Sequence, residues 1–316
     1  MKTPTPEPAG PDDWGPNLAS MLDGPGWNHP GADPDGSRLA PLTGESGVIM
    51  WNAARDEIGA PLLLAVLSSP RAATTWLRSV LSTLYGLHVL TNVLPGDVDW
   101  ERLPRHCLLH GHWSPFLGAT GRPPEDVHAT LRSLLARDDF RVITAARHPL
   151  DALISLLRFV KVNDLPWPSP LPDSADPTGD GFIDFATSPQ AVGYLDVTTD
   201  WWNLPGVLRF RYEDFFFDPR AAIEAATSGI GRHPLESIEA VLESNSRSVM
   251  AARQPDHVWH GQPGLWRTLL TADSAYGIAA AHQRVFATLG YVCDPDPSLA
   301  DEQARLNWLA LQPGDQ

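Results

Sequence analysis

Three groups of residues have the types and spacing for chemistry on an anionic ligand. Arg71, Thr74 and Thr75 follow an apolar run closely. The arginine offers a fixed charge with a fork of donors, and the threonines add hydroxyls. Arg147 and Ser155 form a second group. An arginine at a strand's end and a serine two turns into the next helix can converge on one phosphate. His110 and His112 form the third. An imidazole with a reference pKa near 6.5 is available as a neutral base at pH 7. On a strand the two rings share a face, but Gly111 between them can break that regularity. Spacing alone does not choose between them, and each also reads as an ordinary strand-end histidine.

These groups need elements to hold them. Leu62 to Leu67 is an apolar run of strand length, and Leu77, Val80, Leu81 and Leu84 then recur at helical spacing. Strand, tight loop and helix follow with almost no gap. The helix N-terminus therefore aims its unbonded N–H groups and positive dipole end at the loop, the arrangement of an anion site. The same stretch also reads as a plain strand–turn–helix with a solvated arginine. Downstream, His88–Thr91, Arg105–His110, Phe140–Ala145 and Val207–Tyr212 read as strands. Pro124–Arg137, the segment from Pro149, the stretch through Trp201 and Trp202, Pro219–Thr227, Pro234–Leu242 and Ala279–Leu289 read as helices. Such alternation predicts an α/β fold, with a central parallel β-sheet flanked by helices.

The remainder is expected to be irregular. Residues 1–60 are rich in Pro, Gly and Asp with scattered tryptophans, predicting an irregular N-terminal arm. Asn163–Pro189 reads as a long loop, either a lid or disorder. Asn245–Trp266 reads as irregular, and residues 295–316 as a polar, peripheral C-terminal tail. The main domain is expected over residues 61–294. In 316 residues the formal net charge is −15. Such a surface repels nucleic acid and anionic membrane, so an anionic ligand needs a local basic pocket. Two cysteines imply no disulfide framework. The first residues lack the apolar core of a secretory signal, and no apolar run approaches membrane-spanning length. The expectation is a cytoplasmic protein with no nucleic-acid or membrane partner.

Four blocks, in order, resemble the PAPS-dependent sulfotransferases over about Pro61–Tyr291. PAPS is 3′-phosphoadenosine 5′-phosphosulfate, the sulfuryl donor, and PAP is what remains after transfer. Ser69-Pro70-Arg71-Ala72-Ala73-Thr74-Thr75-Trp76-Leu77 is similar to the family's 5′-phosphosulfate loop, P-[KR]-S-G-T-T-W. Ala72 and Ala73 stand where Ser and Gly are usual. His110-Gly111-His112 falls where histidine-base members carry K-T-H. The resemblance makes His112 the general base and puts His110 in the lysine position. Arg147-His148-Pro149-Leu150-Asp151 with Ser155 is similar to R-[ND]-P-x-D-x-x-x-S, which implies Arg147 and Ser155 on the 3′-phosphate. Tyr212-Glu213-Asp214 resembles the family's strand-ending YED, which implies a Tyr212 contact with adenine. The C-terminal R-K-G reads Trp259-His260-Gly261, so this loop lacks its two cations. Arg253 and Arg267 are the substitutes nearest in sequence.

The resemblance implies a P-loop-like sulfotransferase fold with PAPS as co-substrate and no metal. Arg71, His110 and His112 are then the catalytic candidates. Residues 71–76, Arg147, Ser155, Tyr212, Trp259, His260 and Gly261 are the candidates for holding the nucleotide. The acceptor expected is a small hydroxyl compound, aromatic or hydrophobic, with Trp113, Trp167, Trp201, Trp202 and Trp259 as candidate pocket walls. Two rival readings remain. A P-loop phosphotransferase uses the same strand–loop–helix logic but wants G-x-x-x-x-G-K-[ST], and this loop has neither the lysine nor the first glycine. A non-catalytic nucleotide-binding protein would carry the altered loops as relics.

Overall fold

The structure, a computed structural model, describes residues 60–91, 98, 100, 102–115, 132–163, 176–255 and 258–312. The expected N-terminal arm falls outside them, apart from Ala60. So do most of the helix expected over Pro124–Arg137 and the part of the 163–189 loop that spans residues 164–175.

Five parallel strands form one sheet: β1 (Leu62–Leu67), β2 (His88–Leu90), β3 (His106–Gly111), β4 (Phe140–Ala146) and β5 (Leu208–Arg211). Their spatial order is β2-β3-β1-β4-β5. β1 lies at the centre, with Val66 opposite both His110 and Ile143. Its unbroken apolar sequence follows from that place, because both of its faces are covered. Leu62, Leu64 and Val66 pack with Leu77, Val80, Leu81 and Leu84 of helix α1 (Thr74–Tyr85) on one face. Leu63, Ala65 and Leu67 join Val197 and Trp201 of another helix on the opposite face. This is the two-residue period of a strand read directly as two core layers.

Helix α2 (Pro149–Val162) is buried from its first residue through Val160. Around it pack α3 (Asp180–Ala186), α4 (Pro189–Trp202), a 3₁₀ turn at Leu265–Thr268, α9 (Ala272–Ala281) and α10 (Gln283–Leu289). On the sheet's other side α5 (Tyr212–Phe217), α6 (Pro219–Ile230) and α7 (Ile238–Ser244) pack with α1, and α8 (Arg247–Arg253) follows in the chain.

All five expected strands are present, with ends shifted by a residue or two. Four expectations are corrected. Within the long loop over 163–189, residues 180–186 form α3, because Phe182 and Phe185 give it a buried apolar face. Within the irregular 245–266 segment, α8 forms with Met250 buried beneath it. The peripheral tail holds α11 (Asp301–Ala310), whose Ala304 and Trp308 are fully buried. The helix expected over Ala279–Leu289 is two helices that meet at His282, whose ring Nε2 lies 2.6 Å from the Ala186 carbonyl.

Candidate functional site

The candidate residues gather at the carboxyl ends of the strands, where β1 has neighbours that leave it in opposite directions. Crevices of this kind are where open α/β sheets bind ligands. The loop after β1 carries Arg71, the end of β3 leads to His112, β4 leads to Arg147 and β5 to Tyr212.

The loop at residues 68–73 is tied down from beneath. Ser68 Oγ accepts from Ala145 N at 2.7 Å. Ser69 N donates to Thr198 Oγ1 at 2.7 Å, and Ser69 Oγ donates to the Leu195 carbonyl at 2.9 Å. α4 thus splints the loop. Arg71 and Ala73 both take left-handed backbone conformations, with φ of 67° and 64°. Ala73, in the position of the usual glycine, is the residue just before α1. The alanine adopts a glycine-like conformation and bears the strain of doing so.

Arg71 Nε donates to Ser155 Oγ at 3.1 Å, and its guanidinium lies 4.6 Å from the Phe159 ring centre. Arg147 donates to the Arg71 carbonyl at 3.1 Å and lies 4.4 Å from the Tyr212 ring centre. Burial, and then the charges of Arg147 and Arg158, pull the Arg71 guanidinium below the usual arginine range. Cations that disfavour one another at a loop mouth are a setting an anion relieves. This donor set fits a phosphosulfate or phosphate. Arg158 was missed in the sequence. Its signal was its place three residues after Ser155, on the same helical face.

His112 is bound to the same loop. Its Nδ1 lies 2.7 Å from the Ser68 carbonyl oxygen. A carbonyl only accepts, so Nδ1 carries the proton and Nε2 the lone pair. Burial, helped by the charges of Arg71 and Arg78 and opposed by the Ser68 bond, pushes His112 down to about 4. His110 is buried and meets His112 edge to face, with ring centres 4.9 Å apart. The following residues are clamped by α4, since Trp201 Nε1 donates to the Trp113 carbonyl at 2.7 Å and Ser114 Oγ donates to Asp200 at 2.5 Å.

At the other end of the site Trp76 Nε1 donates to the Asn245 carbonyl at 2.8 Å. Glu213 accepts from His148 N at 3.1 Å and from the Tyr291 hydroxyl at 2.7 Å, joining the β4 and β5 ends. The Tyr212 hydroxyl donates to the Gly261 carbonyl. Asp151 accepts from Gly264 N at 2.7 Å and Trp266 N at 3.0 Å, which fixes the C-terminal loop to α2.

The structure brings Arg71, Ala72, Ala73, Thr74, His110, His112, Arg147, Ser155, Tyr212 and Gly261 to one end of the sheet. Trp259 and His260 are placed differently. The Trp259 indole packs on Trp308 and donates to the Leu311 carbonyl at 3.3 Å, while His260 is exposed. A large apolar ring finds its partner on α11, so only the backbone of Trp259 serves the loop. Arg267 pairs with Asp294, which makes it a poor substitute for the absent cations. Two of the tryptophans expected in an acceptor wall, Trp201 and Trp259, are also corrected. Trp201 is fully buried in the core, Trp259 faces α11, and Trp167 is outside the described residues. Among the described residues no cluster of His, Cys, Asp or Glu is placed to hold a metal ion. No helix among them is long and apolar enough to cross a membrane.

No protein-family model and no curated protein matches this sequence. Solved structures do. Mouse sulfotransferase SULT7A1 complexed with PAP aligns at a TM-score of 0.54 and 16% identity, over 73% of this chain and 86% of that one. Retinol dehydratase in complex with androsterone and the inactive cofactor PAP aligns at 0.49 and 14%, over 81% and 87%. The same enzyme in a complex with retinol and PAP aligns at 0.49 and 14%, over 77% and 85%. The chain has an α/β, P-loop-like sulfotransferase fold.

Proposed function

We propose that this chain transfers a sulfuryl group from PAPS to a hydroxyl of a small-molecule acceptor, with His112 as general base. The observation that carries the reading is the tie between an imidazole and the anion loop. Because His112 Nδ1 is held by the Ser68 carbonyl, Nε2 is the basic nitrogen, on a ring that is neutral at pH 7.

In this reading Nε2 takes the acceptor's proton as its oxygen bonds to sulfur. The bond between sulfur and the bridging phosphate oxygen breaks, and PAP leaves with the negative charge. General-base help of this kind is worth roughly 10²–10⁴ in rate. Arg71, Thr74 and the first-turn N–H groups of α1 are the groups arranged to stabilise the departing oxygen. Arg147 and Ser155 hold the nucleotide, with Tyr212 beside its adenine. Trp113, half-buried and next in the chain to His112, supports a hydrophobic acceptor.

The test is release of PAP from PAPS by the full chain across a panel of alcohols and phenols. Release that depends on the acceptor supports the reading. Calorimetric binding of ATP that requires magnesium, with no binding of PAP, overturns it in favour of a phosphotransferase.

A further inference from the structure

We infer that Arg247 supplies the cation that the Trp259-His260-Gly261 loop lacks, gripping the donor's 3′-phosphate together with Arg147. This rests on the reading of the site as a PAPS site. Arg247, the first residue of α8, donates from its guanidinium to the Trp259 carbonyl at 2.8 Å. Two residues later the Gly261 carbonyl accepts from the Tyr212 hydroxyl. The Tyr212 ring carries the Arg147 guanidinium at 4.4 Å. Arg147, Tyr212, the loop backbone and Arg247 therefore form one connected set.

Electrostatics agree with that placement. The charges of both Arg147 and Arg247 favour the ionised Tyr212 phenol, against the larger upward push of burial. Two arginines thus lie close enough to one phenol to act on it. A single N–H to Trp259 uses one of the five donors of Arg247, and a phosphate dianion accepts from two guanidiniums at once. Gly261 lets the backbone approach closely, since its φ is 64° and an added Cβ would lie 2.6 Å from the Tyr212 oxygen. The nearby alternative, Arg267, is bound to Asp294 and stacked on Trp266 at 4.8 Å.

The test compares PAP with AMP, which lacks the 3′-phosphate, by calorimetry on the full chain. Arg247→Met should weaken PAP by about 10-fold or more and AMP by less than about 2-fold. Arg247→Lys should restore part of the PAP affinity, and Arg267→Met should leave the preference for PAP intact. Equal losses for PAP and AMP in Arg247→Met overturn the inference, as does loss of the preference in Arg267→Met. Wild-type protein that binds no PAP overturns the sulfotransferase reading itself. Wild-type preference for PAP that persists in Arg247→Met overturns the role of Arg247 alone.

Discussion

His112 Nδ1 and the Ser68 carbonyl oxygen lie 2.7 Å apart, so one hydrogen bond joins the candidate base to the loop that would cradle the donor. It fixes the tautomer and carries the pH prediction. Burial depresses His112 to about 4, so the ring stays neutral well below pH 6.5. The value of kcat/KM for PAPS reports the free enzyme. Its acid limb is therefore expected near pH 4. At saturating PAPS the nucleotide's charge offsets Arg71, and the limb in kcat should move up. Initial rates across pH check both limbs, and a free-enzyme limb at 6.5 would remove the buried-imidazole argument.

His112→Ala should lose roughly 10²-fold or more in single-turnover transfer while PAP affinity changes little. His110→Ala should disturb use of the donor more evenly, because His110 stands where the resembling family has its lysine. The two rings touch, so the variants are best compared side by side. Full turnover in His112→Ala with loss in His110→Ala would reverse the roles.

The parts of this site readable in the sequence are those built from local pattern. The apolar run of β1, the heptad-like leucines of α1 and the Pro149 start of α2 are each set by neighbours in the chain. Arg71, Arg147 and Ser155 were legible because the loop and the helix fix their relative places. What stayed hidden depends on distant contacts. Trp259 looks like a loop residue until Trp308 supplies its partner, and α11 buries only Ala304 and Trp308, too sparse a face to stand out. Arg267 looks available in the sequence until Asp294 takes it up, and Arg247 comes into view only through its bond to the Trp259 carbonyl.

Ala73→Gly should stabilise the fold. A left-handed residue with a Cβ costs roughly 1–2 kcal/mol. Glycine gives back part of that, roughly 0.4–1 kcal/mol, through its freer unfolded chain. The net gain expected is about 0.5–1 kcal/mol, read from urea midpoints. A lower midpoint would mean that Ala73 is not strained at its φ of 64°.

Asp151→Ala should act on stability and on nucleotide binding together. Its carboxylate takes two backbone N–H groups, from Gly264 and Trp266, and is itself buried. Leaving those donors unbonded should cost roughly 2–3 kcal/mol. The loop that carries Gly261 loses its anchor to α2, so PAP should bind more weakly in protein that is still folded. Denaturant melts and PAP titrations check this. A loss of less than about 0.5 kcal/mol, typical of a surface change, would show that the carboxylate is dispensable.

His148 makes stability depend on pH in a defined direction. Its ring is buried, stacked on Trp266 at 4.9 Å and 15°, with Nε2 lying 3.2 Å from the Val292 carbonyl. Burial pushes it down to about 4, helped by Arg267 and opposed by the Val292 bond, Glu213 and Asp294. The unfolded chain keeps a histidine near 6.5 and so takes up the proton first as the pH falls. The contribution of His148 is therefore complete above about pH 6.5 and is lost progressively between 6.5 and 4, with a ceiling of roughly 3 kcal/mol. His148→Phe keeps an aromatic ring on Trp266 but cannot titrate. Its unfolding free energy should start lower at pH 7.5, for want of the Val292 bond, by about 1 kcal/mol. It should then fall less steeply than wild type down to pH 4.5. Parallel decline of the two proteins would show that His148 does not carry the acid sensitivity.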